Sequence, residues 1–441
     1  MNENVTIEEQ SVRPARSVCL LNDSFPPLID GVANTVMNYA KVIESMGGRA
    51  VVATPDCPGA DDSTSPFPVV RYPSFDARKK TGYMAGVPFS PSLAQRLQEE
   101  KTEILHSHCP AMSTILAREL RDTLNVPLIF TYHTKFDIDI ADITSSKLVQ
   151  WEATRLLVQN VTACDEVWVV SNGAGENLKS LGYEGDYIVM NNGVDMERGR
   201  IPEDRVREAL KDYDIPEGIP VYLFVGRMMW YKGLWILLNA LGRMKALQYR
   251  FRMVFVGSGA DLEEIREYVE DLGLTEDVIF TGSIHDRELL KCWYCRSDLF
   301  LFPSVYDTNG LVVREAAACS VPSVLVKGSC AAEGVTDGVN GYLIEENAAS
   351  MAEKLIALYP CGDAVKQVGE GAARDLYLSW HDAVVTASER YEIVLDKYRS
   401  GGYPRKPEFS RDLYAALGNW MDRLGHAEKR ISEVKESIWN T

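Results

Sequence analysis

An α/β fold built from two doubly wound parallel sheets is what this sequence predicts, on three observations. Apolar strand-like runs alternate with helical patterns along nearly the whole chain, a polar proline-containing stretch divides those runs into two groups, and 441 residues exceed what one core usually organises. Two Rossmann-like domains facing a central cleft are therefore expected, with the ligand site outside the carboxyl ends of the strands.

The elements follow in chain order. Residues 1–16 carry acids where a signal peptide needs a basic start and an apolar run, so they read as a short disordered tail. The first domain, 17–200, holds the runs SVCLLND, RAVVATPD, PVVRYP, EILHSH, PLIFTYHT, EVWVVSN and DYIVMNNG. The stretch VDMERGRIPEDRVREALKDYDIPEGIP suits a linker with a short helix. The second domain, 201–375, holds VYLFVGR, RMVFVGSG, VIFTG, LFLFPS, PSVLV and GYLIEE. From Gly401 a Pro/Gly linker leads to a helix capped by Ser410, in which Leu413, Leu417, Trp420, Leu424, Ala427, Ile431, Val434 and Ile438 mark a heptad seam. Its mixed charge suits docking on this protein or pairing with a second copy, ahead of a membrane.

Composition narrows the function. A net charge of -17 argues against a general nucleic-acid or anionic-membrane binder, since phosphates repel most of such a surface. No segment reaches the roughly 18 apolar residues that span a bilayer, so a cytoplasmic protein, soluble or peripheral to the inner membrane face, is expected. Nine scattered cysteines suit reduced thiols. Cys292 and Cys295 form a CxxC without a second pair, and His106 and His108 alternate without an evident third ligand, so no metal site is expected.

The chemistry concentrates in DTNGLVVREAAACSVPSVLV. Asp307 and Glu315, eight residues apart, bracket a Thr-Asn-Gly turn between a buried strand and a helix start. A helix N-terminus offers backbone N–H groups and a favourable dipole to a diphosphate, and the two acids can accept hydroxyl hydrogen bonds from a sugar nucleotide. GRMMWYKG sets Arg227 and Lys232 at another strand end, where cations neutralise a diphosphate. FVGSGADLEEI adds Gly257 and Gly259, and FTGSI adds Gly282 and Ile284. Each element is common alone; the order and spacing make the joint signal.

With these motifs the chain resembles the retaining glycosyltransferases of family 4, which have the two-Rossmann GT-B architecture, over about Ser17 to Leu395. The resemblance implies that Arg227 and Lys232 bind the donor diphosphate. It also implies that the family's E-x7-E pair corresponds to Asp307 near the transferred sugar and Glu315 near the ribose. The first acid here is Asp, not Glu, which bears on sugar specificity. Thr308, Asn309, Gly310 and Leu311 match positions whose amides meet sugar hydroxyls and phosphate, and Asn192, Gly193, Val194 and Asp195 match an NG-x-D element near the domain crossover. In the first domain FPPLIDGVANTV, HSHCPAMS and TYHTKFD match. They place Gly31 beside the diphosphate and acceptor, with Asp30-Gly31 where Gly-Gly is common, and His133 close to the donor sugar. The segment 376–400 resembles the helix that recrosses to the first domain. No cofactor and no essential metal are implied.

The resemblance also implies a mechanism. The glycosidic bond breaks through an oxocarbenium-like state while charge grows on the diphosphate, which Arg227, Lys232 and the helix N-terminus stabilise. With no convincing carboxylate nucleophile, front-face attack by the acceptor hydroxyl is expected. The loop YPSFDARKKTGYMAGVPFSP combines Arg78, Lys79 and Lys80 with aromatic residues, and fits either a lipid headgroup layer or a plain surface loop. It resembles the acceptor loop of the diacylglycerol α-glucosyltransferase branch, so Arg78, Tyr83 and His108 are the candidate acceptor contacts. The best reading is glucose transfer from UDP-glucose to a diacylglycerol. GDP-mannose or a soluble acceptor is the close alternative, and an epimerase, a phosphorylase or a binding-only regulator are further readings of the same architecture.

Overall fold

The computed structural model describes residues 16–406, so the expected N-terminal tail, apart from Arg16, and the heptad helix lie outside the described residues. Strands β1 (Ser17–Leu21), β2 (Arg49–Pro55), β3 (Val69–Tyr72), β4 (Ser74–Asp76), β5 (Met84–Gly86), β6 (Ile104–Ser107), β7 (Leu128–Tyr132), β8 (Glu166–Val169) and β9 (Ile188–Val189) belong to the first domain. The second holds β10 (Val221–Val225), β11 (Arg252–Val256), β12 (Val278–Gly282), β13 (Leu299–Phe302), β14 (Ser323–Val326) and β15 (Tyr342–Ile344).

Each apolar run quoted above forms a strand. Seven make a parallel sheet in the order β3-β2-β1-β6-β7-β8-β9, and six make a second in the order β12-β11-β10-β13-β14-β15. In both, the strand order reverses beside the first strand, between β1 and β6 and between β10 and β13. Those are the points where a doubly wound sheet opens a crevice at its carboxyl edge. This is the GT-B architecture. Strands β4 and β5 form an antiparallel ribbon inside the basic aromatic loop, whose three-residue strands leave too little alternation to be legible in sequence.

Helices begin where side chains can satisfy free amides. Asp30, Ser90, Ser171, Asp286, Asn347 and Ser379 each accept a backbone N–H at a helix start, a cap stabilising by about 1 kcal/mol. The last described helix, Trp380–Arg399, returns to the first domain. Its Trp380, Ala383, Val384, Ala387, Tyr391, Val394 and Leu395 pack in one cluster with Val18, Leu20 and Val36. Arg390 pairs with Glu166 at 2.7 Å, and Arg16 with Glu392 at 2.6 Å. Beyond it Tyr403 donates its hydroxyl to Glu166, so the start of the predicted linker is anchored on the first domain.

The two passages of chain between the domains lie side by side. Val194 forms an isolated parallel bridge with Ser379, and its N–H donates to the Leu378 carbonyl at 3.0 Å. Gly193 permits this, because a Cβ there would stand 2.4 Å from the Trp380 nitrogen and 2.5 Å from the Ser379 carbonyl. Gly193→Ala is therefore expected to lower stability by about 1–3 kcal/mol, read as a fall in the denaturant midpoint. At Gly31 an added Cβ meets nothing within 4 Å, so Gly31→Ala should be neutral or stabilise by about 0.4–1 kcal/mol. Equal losses in the two variants would refute the close-approach argument.

Candidate active site

On the second-domain side, three strand-end loops converge backbone to backbone. Gly257, at φ 139°, lies so close to the Gly226 carbonyl that a Cβ would approach it to 1.9 Å, and a Cβ on Gly259 would stand 2.3 Å from the Met228 carbonyl. Only glycine fits such contacts. The N–H of Gly257 donates to Gly282, and that of Met228 to Ser258, which aligns the loops after β10, β11 and β12. Ile284 packs against the core just beyond. Gly233, at φ 77°, likewise lets the loop after β10 meet the Pro303 carbonyl, where a Cβ would stand 2.2 Å away.

That approach brings Lys232 to Asp307. Lys232 Nζ lies 2.7 Å and 2.9 Å from the two Asp307 oxygens, and Ser304 Oγ donates to the same carboxylate at 2.5 Å. Lys232 is buried, whereas Arg227 is exposed, its guanidinium 5.8 Å from the Tyr231 ring centroid. The helix Leu311–Ala318 opens at Gly310, in the left-handed region at φ 61°, and no side chain caps it. The Val313 N–H turns back to the Gly310 carbonyl at 2.8 Å, and no side chain takes the amides before it, so they can meet an anion beside Lys232 and Arg227. One turn into this helix Glu315 is buried, bonded to Arg287 and to the Tyr294 hydroxyl, each at 2.9 Å. A carboxylate has further lone pairs, so Glu315 can still accept from a hydroxyl.

The first domain meets this face directly. Thr308 Oγ1 donates to the His133 carbonyl at 2.6 Å, Ser171 Oγ donates to the Thr308 carbonyl at 2.5 Å, and Lys135 Nζ donates to the Val305 carbonyl at 3.2 Å. Glu333 of the second domain accepts the N–H groups of Asn172 (2.8 Å) and Gly173 (2.6 Å), at the N-terminus of the helix Asn172–Ser180. Asn309, Gly310 and Leu376 line the small cleft beside these contacts, together with Ser171, Asn191 and Arg314.

His133 follows β7 at the cleft, and burial lowers its pKa from 6.5 to about 3. Behind it stand His108 and His106, both pushed well below the usual range, chiefly by burial. His106 bonds Tyr391 of the returning helix and Thr131, each at 2.6 Å.

One expectation changes. His108 was expected to touch an acceptor, but it is 1% exposed, bonded to His133 and packed on His106, so it presents no surface to a ligand. Gly31, expected beside the diphosphate, opens the helix Gly31–Ser45, where the Asp30 side chain takes the Ala33 N–H at 2.7 Å and the Ser24 hydroxyl at 2.8 Å. Arg78 and Tyr83 are exposed on the β4–β5 ribbon, Arg78 paired with Asp76 at 2.7 Å, and that pairing lowers the Asp76 pKa to about 2.

Two family models match, one to each domain. "Glycosyltransferase Family 4" covers residues 29–198 and "Glycosyl transferases group 1" covers 206–375. The chain belongs to glycosyltransferase family 4. Among its relatives, the sulfoquinovosyl transferase of Arabidopsis thaliana is 28% identical, over 73% of this chain and 61% of that protein's length. The alpha-monoglucosyldiacylglycerol synthase of Streptococcus pneumoniae is 24% identical, over 69% of this chain and 70% of that one. Among solved structures, the sucrose-phosphate synthase of Thermosynechococcus elongatus superposes with a TM-score of 0.68 at 19% identity, covering 86% of this chain and 99% of that one. In this family 4 chain, Ser304, Lys135, Ser171, Glu333, Arg287 and Tyr294 join the site without any local signal. Except for Ser304, three residues from its partner Asp307, their partners lie far away in sequence, and only the Ser171 cap could have been read from Ser-Asn-Gly before a helix.

The buried histidines set an acid limit on stability. Burial makes each bind a proton more weakly folded than unfolded, so below pH 6.5, and towards about 3 for His133, the unfolded chain holds more protons. Stability from this source is complete above that ordinary value and is lost as pH falls, by up to about 1.4 kcal/mol per pH unit per histidine. The melting temperature should therefore drop on acidification, less steeply in His133→Gln than in the wild type. Identical slopes would show that His133 is not held as described.

Proposed function

We propose that this chain is a retaining glycosyltransferase that moves glucose from UDP-glucose to the free hydroxyl of a diacylglycerol, giving an α-glycoside without a metal ion. The observation that carries the transfer reading is the bidentate Lys232–Asp307 pair at an uncapped helix start, facing His133 across the cleft. The bond from the anomeric carbon to the β-phosphate oxygen breaks, and its electron pair stays on that oxygen. Lys232, Arg227 and the amides at Gly310 and Leu311 bind the growing charge more tightly as the bond lengthens. The acceptor oxygen bonds the anomeric carbon on the same face, and its proton passes to the departing phosphate oxygen. Asp307 orients the sugar and Glu315 the ribose. The cations and the helix dipole do the charge neutralisation that a metal would otherwise supply.

A lipid acceptor is supported by the surface of the first domain. Phe75 (60% exposed) and Phe89 (60%) lie in the ribbon region with Arg78 and Lys79, while Leu148 (71%) and Trp151 (58%) lie on the helix Lys147–Thr162 with Lys147 and Arg155. Exposed apolar and cationic side chains of this kind suit an anionic bilayer surface, here the cytoplasmic face. No helix among the described residues is long and apolar enough to cross a membrane. The likeness to the Streptococcus pneumoniae alpha-monoglucosyldiacylglycerol synthase supports the same acceptor class.

Nucleotide release from UDP-, GDP- and ADP-sugars, with and without dispersed diacylglycerol, tests the reading. Release from UDP-glucose that rises with lipid and yields a glycolipid by mass is expected. Release from GDP-mannose, or with soluble acceptors alone, would replace donor or acceptor, and conversion of the sugar nucleotide without acceptor would replace transfer itself. Lys232→Ala should lower turnover by about 10²-fold or more, and unchanged turnover would remove its role. Asp307→Glu, which lengthens the arm of the ion pair, should change the preference among donor sugars; an unaltered profile would show that Asp307 does not select the sugar.

A further inference from the structure

His108 and His133 follow the adjacent strands β6 and β7 and share one bond, His108 Nδ1 to His133 Nε2 at 2.9 Å. Their ring centroids are 5.1 Å apart with planes at 23°. That is the spacing of two imidazoles joined nearly in plane through one N–H···N bond, not of stacked rings. Burial keeps both rings neutral, so the bond contains a single proton, and either ring can own it.

The surroundings of His108 decide between them. Its ring stands edge-on to Tyr39 at 5.6 Å and against His106 at 4.1 Å. His106 cannot turn to help, since Tyr391 and Thr131 occupy both its nitrogens. The other nitrogen of His108, Nε2, is buried without a partner. If His133 donated to His108, the His108 proton would sit on Nε2 and leave an orphaned N–H in the core. If His108 donates, only a lone pair goes unpaired. Buried N–H groups without acceptors are the rarer and costlier case. The remaining nitrogen of His133, Nδ1, has no hydrogen-bond partner among the described residues.

We propose that His108 is a positioning residue that sets the tautomer of His133. It donates Nδ1–H to His133 Nε2, so His133 carries its own proton on Nδ1 and meets the ligand in the cleft as a hydrogen-bond donor, not as a base. What Nδ1–H meets, an oxygen of the bound sugar nucleotide, rests on the transfer reading; the tautomer does not.

The test uses the full chain labelled with 15N-histidine and long-range 1H–15N correlation without ligand, His133 being assigned by its loss in His133→Gln. A pyrrole-type Nδ1 and a pyridine-type Nε2 in His133, unchanged between about pH 5 and pH 8, are expected. In His108→Phe, which removes the donor but keeps a ring, His133 should shift towards protonation at Nε2. A wild-type His133 protonated at Nε2 overturns the proposal whether or not that variant folds. Activity supplies the second arm. His133→Gln retains an N–H donor without a base, and should hold turnover within roughly tenfold of wild type and above His133→Ala. A base contributes about 10²–10⁴-fold, so losses of that size, equal in both variants, would overturn the donor role. Absence of transfer in the wild type would sink the transfer reading and leave the spectroscopic result to decide the tautomer.

Discussion

The bidentate contact between Lys232 and Asp307 is the interaction on which the catalytic face depends, because it ties the loop after β10 to the loop after β13. Removing two charges from water is unfavourable unless geometry and extra hydrogen bonds compensate. Here Ser304 supplies a further bond, and the Gly233 turn brings the lysine into range. The pair has a second consequence. Lys232 already has an anionic partner, so any anion entering here must share that cation with Asp307, while the exposed Arg227 lies over the same Tyr231 ring. The short aspartate arm holds the lysine close to the turn that begins the helix Leu311–Ala318. Charge and backbone donors are thus gathered at one place before any ligand enters, which is the condition for electrostatic preorganisation.

The same loop is held from the other domain. Thr308 bonds both to His133 and, through its carbonyl, to Ser171, while Glu333 ends on the amides of Asn172 and Gly173. A Cβ on Gly173 would come within 2.4 Å of the Cys330 sulfur, so that contact too is close. These are polar bonds at the mouth of the cleft, and polar bonds exchange readily with water. At the other end, the crossings at Val194 and Ser379 are adjacent. The two domains are thus joined by one narrow double crossing and, at the cleft mouth, by polar contacts.

Much of this was legible in sequence, and the reason is periodicity. Parallel strands buried on both faces read as continuous apolar runs, and the quoted runs all became strands of the two sheets. The Asp307 to Glu315 element was legible because its turn chemistry is local. What escaped is set by distance along the chain. Tyr294 and Arg287 reach Glu315 from a different helix, and Lys135 reaches Val305 from a different domain. His108 misled for a related reason. Alternation places His106 and His108 on one face of the strand end, but what covers that face, Tyr39 of the helix Gly31–Ser45, His133 after β7 and Tyr391 of the returning helix, lies far away in sequence. At Asp30 the departure from Gly-Gly was visible, yet its effect, a carboxylate filling the helix start, needed the folded turn.

The first domain is consequently not a contiguous stretch of sequence. Its sheet is complete by β9, but one side of its core is finished only by Trp380–Arg399, which follows the whole second domain. Tyr391 carries this beyond packing. It stacks on Trp168 with centroids 5.3 Å apart and bonds His106, the innermost ring of the histidine row that ends at the cleft. A buried imidazole without such a partner would leave a polar nitrogen unsatisfied in the core. Order at His133 therefore depends on a helix that exists only after the second domain has been made. The chain crosses back at Ser379, immediately before that helix begins. Folding of the second domain and completion of the histidine row are thus joined by one short crossing.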